Sequence, residues 1–203
     1  MKTSIFVCLT VLLPLTAMAD DAALLADKLD AMQGIKANFN QKVTDQNGKL
    51  IQEGSGILAM KQPGAFHWHL TSPDESLIVA NDQTVWVYNS FAEEVSILDM
   101  EDILKASPMA LLVHRDEKSW SEYQIDKKGD CFEIRPHQGV ESAVNMVSVC
   151  FAKTVLSDIR LVDGQGSVSH FELSSQSHVA EADSGLFRFE LPEGVSVDDQ
   201  RAQ

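Results

Sequence analysis

About a dozen short runs of alternating polarity, each closed by residues with turn chemistry, constrain this chain more than any motif it contains. Side chains on a strand point to opposite faces in turn, so a period of two marks a half-buried strand. Such runs fall at about 36–44, 51–60, 65–71, 76–80, 84–89 and 93–98, then at 122–127, 131–135, 144–151, 155–162, 168–174 and 186–191. Asn47-Gly48, Gln62-Pro63-Gly64, Ser72-Pro73-Asp74, Asn81-Asp82, Lys128-Gly129-Asp130 and Asp163-Gly164-Gln165-Gly166 separate members of the two groups, with residues that turns favour. Between the groups lies "LDMEDILKASPMALLVHRD". Asp99 can cap a first helical turn there, and Ser107 a second, with Pro108 at its first position. Another helix opens at Asp20 or Asp21, carries Leu25, Leu29 and Met32 at i, i+4 and i+7, and ends at Gly34. So many antiparallel strands in one twisted sheet curl, and the helices are the cover for its concave side. The expected fold is mainly β with an α lid: a single curled antiparallel sheet, an unclosed half-barrel covered by short helices.

The chain begins with a secretory pattern. Lys2, an apolar run from Ile5 to Leu15 and Ala17-Met18-Ala19 form the n-region, h-region and cleavage site of a signal peptide. That run is shorter than the roughly 20 residues a membrane span needs. Cys8 follows Phe6 and Val7 rather than the small residues of a lipid-modification box. Residues 1–19 are therefore expected to be cleaved, leaving 20–203 as one secreted domain. The net charge of −14 becomes more negative without Lys2. It argues against nucleic acid, whose phosphates demand a basic footprint, and against adsorption to anionic membranes. Cys131 and Cys150 lie on the polar faces of two neighbouring runs, "CFEIR" and "MVSVCF", and are a disulfide candidate in an oxidising compartment.

No catalytic constellation emerges. His114-Arg115-Asp116 has the letters of a kinase loop, but Ser121 stands where the metal-binding Asn belongs, and no phosphate loop accompanies it. Ser55 fails the nucleophile-elbow pattern because Glu53 occupies the first glycine position. Neither zinc spacings nor a calcium loop occur, and no cofactor is expected. In "KQPGAFHWHLTSPDES", His67 and His69 share one strand face and could chelate a metal, but no third ligand is evident. The plainer expectation is a strand with both histidines toward water and Phe66, Trp68 and Leu70 toward apolar company.

The apolar side is more informative. Phe66, Trp68, Trp86, Tyr88 and Phe91 crowd the first group, and few helices are available to fill a concave sheet. A cavity walled by these aromatics, with Leu58, Met60, Leu70, Ile103, Leu104, Met109, Leu111 and Leu112, would hold an apolar ligand. Flexible methionines, Met100 among them, suit an adaptable lining.

The order "ANFNQKVTD", "QEGSGILAMKQPGAFHWHLTSPDESLIVANDQTVWVYN", "DILKASPMALL" and "FRFELPEGVSVDDQR" resembles the periplasmic outer-membrane lipoprotein carriers, the LolA-like family, over nearly the whole mature chain. The resemblance implies a chaperone, not an enzyme. Such a carrier takes acylated lipoproteins from an ABC-type releasing complex in the inner membrane and passes them to an outer-membrane lipoprotein receptor. It also implies a periplasmic monomer. A phenylalanine tied in the family to cargo and partner interaction matches Phe66. The family arginine that hydrogen-bonds toward the lid is Gln62 here, from which a looser lid is expected, since Gln lacks the charge. A related half-barrel that senses or stores lipids without shuttling is the alternative.

Overall fold

The computed structural model describes residues 20–32, 34–81, 83–106, 108–114 and 116–201. The expected signal peptide and the Ser107 cap lie outside them. Helix α1 (Asp21–Ala31) starts at Asp20, whose carboxylate accepts the Ala22 N–H at 3.3 Å. Leu25 and Leu29 are its buried residues, and Gly34, at φ 102°, turns the chain away. Strands β1 (Ile35–Thr44), β2 (Leu50–Lys61), β3 (Ala65–Ser72), β4 (Ser76–Ala80), β5 (Thr84–Asn89) and β6 (Glu94–Asp99) follow as an antiparallel meander. The lid comes next: α2 (Met100–Ala106), a 3₁₀ turn (Pro108–Leu112) and a short α3 (Glu117–Trp120) that periodicity did not reveal. Strands β7 (Tyr123–Lys128), β8 (Cys131–Pro136), β9 (Val144–Ala152), β10 (Val155–Asp163) and β11 (Val168–His178) complete a second meander, and β11 pairs with β1.

With a last short strand, β12 (Ser196–Asp199), the described residues form one 12-stranded sheet in the order β12-β6-β5-β4-β3-β2-β1-β11-β10-β9-β8-β7. Its end strands do not meet, so the barrel is unclosed. Two expectations need correction. The strand expected at 186–191 is absent: Glu181–Phe187 is a 3₁₀ turn, and the last strand is β12 (Ser196–Asp199). That strand runs parallel to β6, so the sheet is mixed rather than antiparallel. A parallel partner needs a long crossover, and residues 179–195 supply it.

The crossover straps the outer face of the first meander. Lys36 Nζ meets Asp183 Oδ1 at 2.8 Å, His67 Nδ1–H donates to the Leu186 carbonyl at 2.8 Å, and Phe189 stacks on Trp86 with ring centroids 6.1 Å apart. Register puts Ala59, His67, Val79, Trp86 and Ile97 in one row across β2–β6. Ala59, Val79 and Val95 are fully buried on that side. The first meander is thus apolar on both faces, with a small outer core under the strap.

The main core fills the concave face. Phe39 stacks on Trp68 at 4.2 Å, and Phe171 sets its edge against Trp68 at 4.6 Å and against Phe39 at 5.8 Å. Gly56 lies beneath: a Cβ there would stand 2.6 Å from the Phe39 ring. At the other end of the sheet Cys131 and Cys150 face each other across β8 and β9 and are bonded. At a sequence separation of 19, the crosslink restricts the unfolded chain by about 3 kcal/mol. Replacing both by serine should lower urea-unfolding stability by that amount; a change under about 1 kcal/mol would show that the bridge does not constrain the unfolded ensemble.

Candidate functional site

The inner face of the first meander ends in a void beneath the lid. Cross-strand register aligns Met60, Phe66, Ala80, Val85 and Leu98 in one row, and Leu58, Trp68, Ile78, Val87 and Ser96 in the next. Phe66, Ile78, Ala80, Val85 and Val87 form the strand wall of a cavity of about 190 Å³. Met100 and Ile103 from α2, and Met109, Ala110 and Val113 from the 3₁₀ turn and its end, form the roof. The side chains of this wall carry no charge and no hydrogen-bonding group. Burial of such a surface rewards any apolar ligand and offers nothing to a polar one.

Backbone bonds tie the lid to the sheet. Met100 N–H donates to the Gln83 carbonyl at 2.8 Å, and Gly64 N–H to the Val113 carbonyl at 3.0 Å. The Tyr123 hydroxyl, buried beneath it, donates to the Leu104 carbonyl at 2.8 Å. That burial raises the phenol's pKa and keeps it a donor. Gln62 does not reach α2. Its Nε2 donates to Asp30 Oδ1 on α1 at 3.1 Å, an exposed bond that links the β2–β3 turn to the first helix.

Of the residues the sequence nominated for a cavity, Phe66, Met100, Ile103 and Met109 line it. Trp68, Leu58, Met60, Leu104, Leu111 and Leu112 are buried in the main core, and Leu70 packs against that core. Trp86 and Tyr88 are placed differently from expectation. They alternate with Val85 and Val87, so they occupy the outer face, where Trp86 meets Phe189. Phe91 sits in the β5–β6 turn and is 90 % exposed. The valines, Ile78 and Ala80 were overlooked because the larger aromatic side chains drew attention. Phe66 with the β3–β4 and β4–β5 turns was the available signal, since counting register outward from it selects Ala80 and Val85.

The histidines also differ from expectation. His69 meets Glu75 at 2.8 Å near the surface, but His67 is only 7 % exposed, covered by the strap rather than facing water. Among the described residues no cluster of three or more metal-binding side chains exists. Burial, more than the nearby His69 and Lys36, lowers the His67 pKa below 6.5, while its bond to Leu186 opposes the shift. The folded state therefore prefers neutral His67. Its contribution to stability is complete above pH of about 6.5 and is lost as pH falls through the folded value. His67→Gln should remove this part of the acid sensitivity: the stability gap between the two proteins narrows from pH 7.5 to 5.5 in urea titrations. A gap independent of pH would contradict it.

Comparison with known proteins agrees with this geometry. A profile of the family described as "Outer membrane lipoprotein carrier protein LolA" matches residues 30–190. An outer-membrane lipoprotein carrier protein of Shewanella amazonensis is 72 % identical over 203 residues, all of both chains. One from Shewanella loihica is 51 % identical, covering 92 % of this chain and 89 % of its own. Among solved structures, an uncharacterized conserved protein from Thermus thermophilus superposes with a TM-score of 0.50 at 12 % identity, over 89 % of this chain and all of its own, which speaks to the fold alone. An unclosed sheet, a lidded apolar cavity and matches of this extent lead to one conclusion: the chain belongs to the outer-membrane lipoprotein carrier family.

Proposed function

We propose that this protein is a periplasmic chaperone that shields the acyl chains of lipoproteins between the two membranes. The observation that carries the proposal is the wholly apolar cavity under the lid, with Phe66 in its wall. Each methylene exposed to water costs about 0.8 kcal/mol, so a multiply acylated protein does not leave a bilayer unaided. A carrier supplies substitute apolar surface and must surrender it again. At about 190 Å³ the cavity is smaller than the roughly 300–1,000 Å³ of ordinary small-ligand sites, so loading requires the lid to lift.

The chain acts as a monomer after removal of residues 1–19. It receives cargo from an ABC-type releasing complex in the inner membrane, which supplies the uphill step, and gives it to an outer-membrane receptor that binds the chains more tightly. No bond is made or broken, and no cofactor is required. Among the described residues no helix is long and apolar enough to cross a membrane.

The test uses inner-membrane spheroplasts carrying pulse-labelled lipoproteins. Added mature protein should bring labelled lipoprotein into the soluble fraction as a discrete complex. Absence of release, beside an active control carrier, would leave acyl binding without shuttling and favour a lipid sensor. Gln62→Arg should turn the exposed bond to Asp30 into an ion pair worth at most about 1 kcal/mol. Transfer to the receptor should slow up to about fivefold; unchanged transfer would remove Gln62 from lid control.

A further inference from the structure

The cavity shares Val113 with a small neighbouring pocket, the neck, of about 10 Å³, room for roughly one water. Met32, Gly34 and Ile35 of that neck also line a second crevice of about 420 Å³. All three lie along the rim where α1 ends and the β2–β3, β4–β5 and β9–β10 turns gather.

The second crevice is a fork in the sheet. The β10–β11 ladder runs from Val162↔Val168 to Asp158↔Glu172 and stops. Strand β11 continues to His178 with β1 as its ladder partner. A bulge makes this possible: the register passes from Asn38↔Ser174 to Lys36↔Ser177, and Ser175 takes φ 53°. The bulge turns His178 to face Ile35, and its Nδ1–H reaches the Met32 carbonyl at 3.2 Å. The Gln176 amide spans the fork, donating to the carbonyls of Leu156 and Leu173 at 3.2 and 3.1 Å. Bulges recur beside binding sites because they re-aim side chains and end pairing.

The wall chemistry differs from that of the cavity. Met32, Ile35 and Val155 are apolar, while Thr154, Ser177 and His178 offer hydrogen-bonding groups. An acyl chain uses only the first kind. An extended polypeptide uses both, because its backbone needs partners and its side chains alternate. Strand addition at an incompletely paired strand is a recurrent mode of peptide recognition.

We propose that this crevice binds the extended polypeptide that follows the acylated residue of the cargo, a proposal that rests on the carrier function above. The acyl chains occupy the cavity, and the peptide leaves along the rim past the neck and lies beside residues 174–178 of β11. Cargo is then recognised by lipid and peptide together, and free fatty acids and phospholipids lack the second contact.

The probes are a tripalmitoylated cysteine amide and the same lipid extended by six small polar residues. Wild-type protein should bind the extended probe about tenfold more tightly. Thr154 is exposed in the β9–β10 turn, so Thr154→Trp can fill the crevice without disturbing the core, and it should bring both probes to one affinity. Hydrogen exchange should show added protection at 174–178 with the extended probe alone. Equal affinities in the wild type, or a peptide gain that survives Thr154→Trp without such protection, would overturn the proposal. If the tail-less lipid does not bind at all, the carrier function itself fails, and this inference with it.

Discussion

Phe39→Ala should lower stability by about 3–5 kcal/mol, the range for removing a buried aromatic ring from a packed core. Phe39 is 1 % exposed and sits between Trp68 at 4.2 Å and Phe171 at 5.8 Å. Its ring neighbours come from β3 and β11 while Phe39 itself is on β1, so the ring joins the two meanders where β1 pairs with β11. Truncation would leave a void that Trp68 can fill only by abandoning its edge contact with Phe171. Urea unfolding with an unchanged m-value is the check. A loss below about 1 kcal/mol would mean that the cluster repacks freely. Acyl binding should change far less, since none of the three rings lines the cavity.

Ala80→Phe should have the opposite profile. Ala80 is 3 % exposed, lies between Phe66 and Val85 in register, and points into the void. Enlarging a core residue usually costs about 1–3 kcal/mol because no space exists. Here the ring enters open volume, so the melting temperature should move by a few degrees at most. The same ring occupies the space an acyl chain needs. Affinity for a fluorescent acyl probe should fall at least tenfold, about 1.4 kcal/mol. Trp86→Leu, on the outer face under Phe189, is the control and should leave probe affinity within twofold. Equal losses in the two variants would place the lipid elsewhere.

The sequence alone determined most of the elements. Period-two alternation located eleven strands to within a few residues, with turn chemistry between them. The Asp20 cap and the run Leu25, Leu29, Met32 marked α1, and alternation around Cys131 and Cys150 put both thiols on one face of neighbouring strands. These features are local: they depend on which residues follow one another. Alternation failed where the backbone departed from it. The bulge at Ser175 hid the last residues of β11, and 186–191 reads as a strand because "LFRFEL" alternates, although its first two residues end a 3₁₀ turn and the rest has no ladder neighbour.

Tertiary structure decided which face is inside. On β5 the sequence offers Trp86 and Tyr88 on one side and Val85 and Val87 on the other, and hydrophobicity favours the first pair. The valines nevertheless line the cavity, because the register inherited from β3 and β4 fixes the pleat. Trp86 lies outside against Phe189 of the 179–195 strap, which also covers His67. A strand records that it has two unlike faces; which of them meets the lid depends on partners distant in sequence.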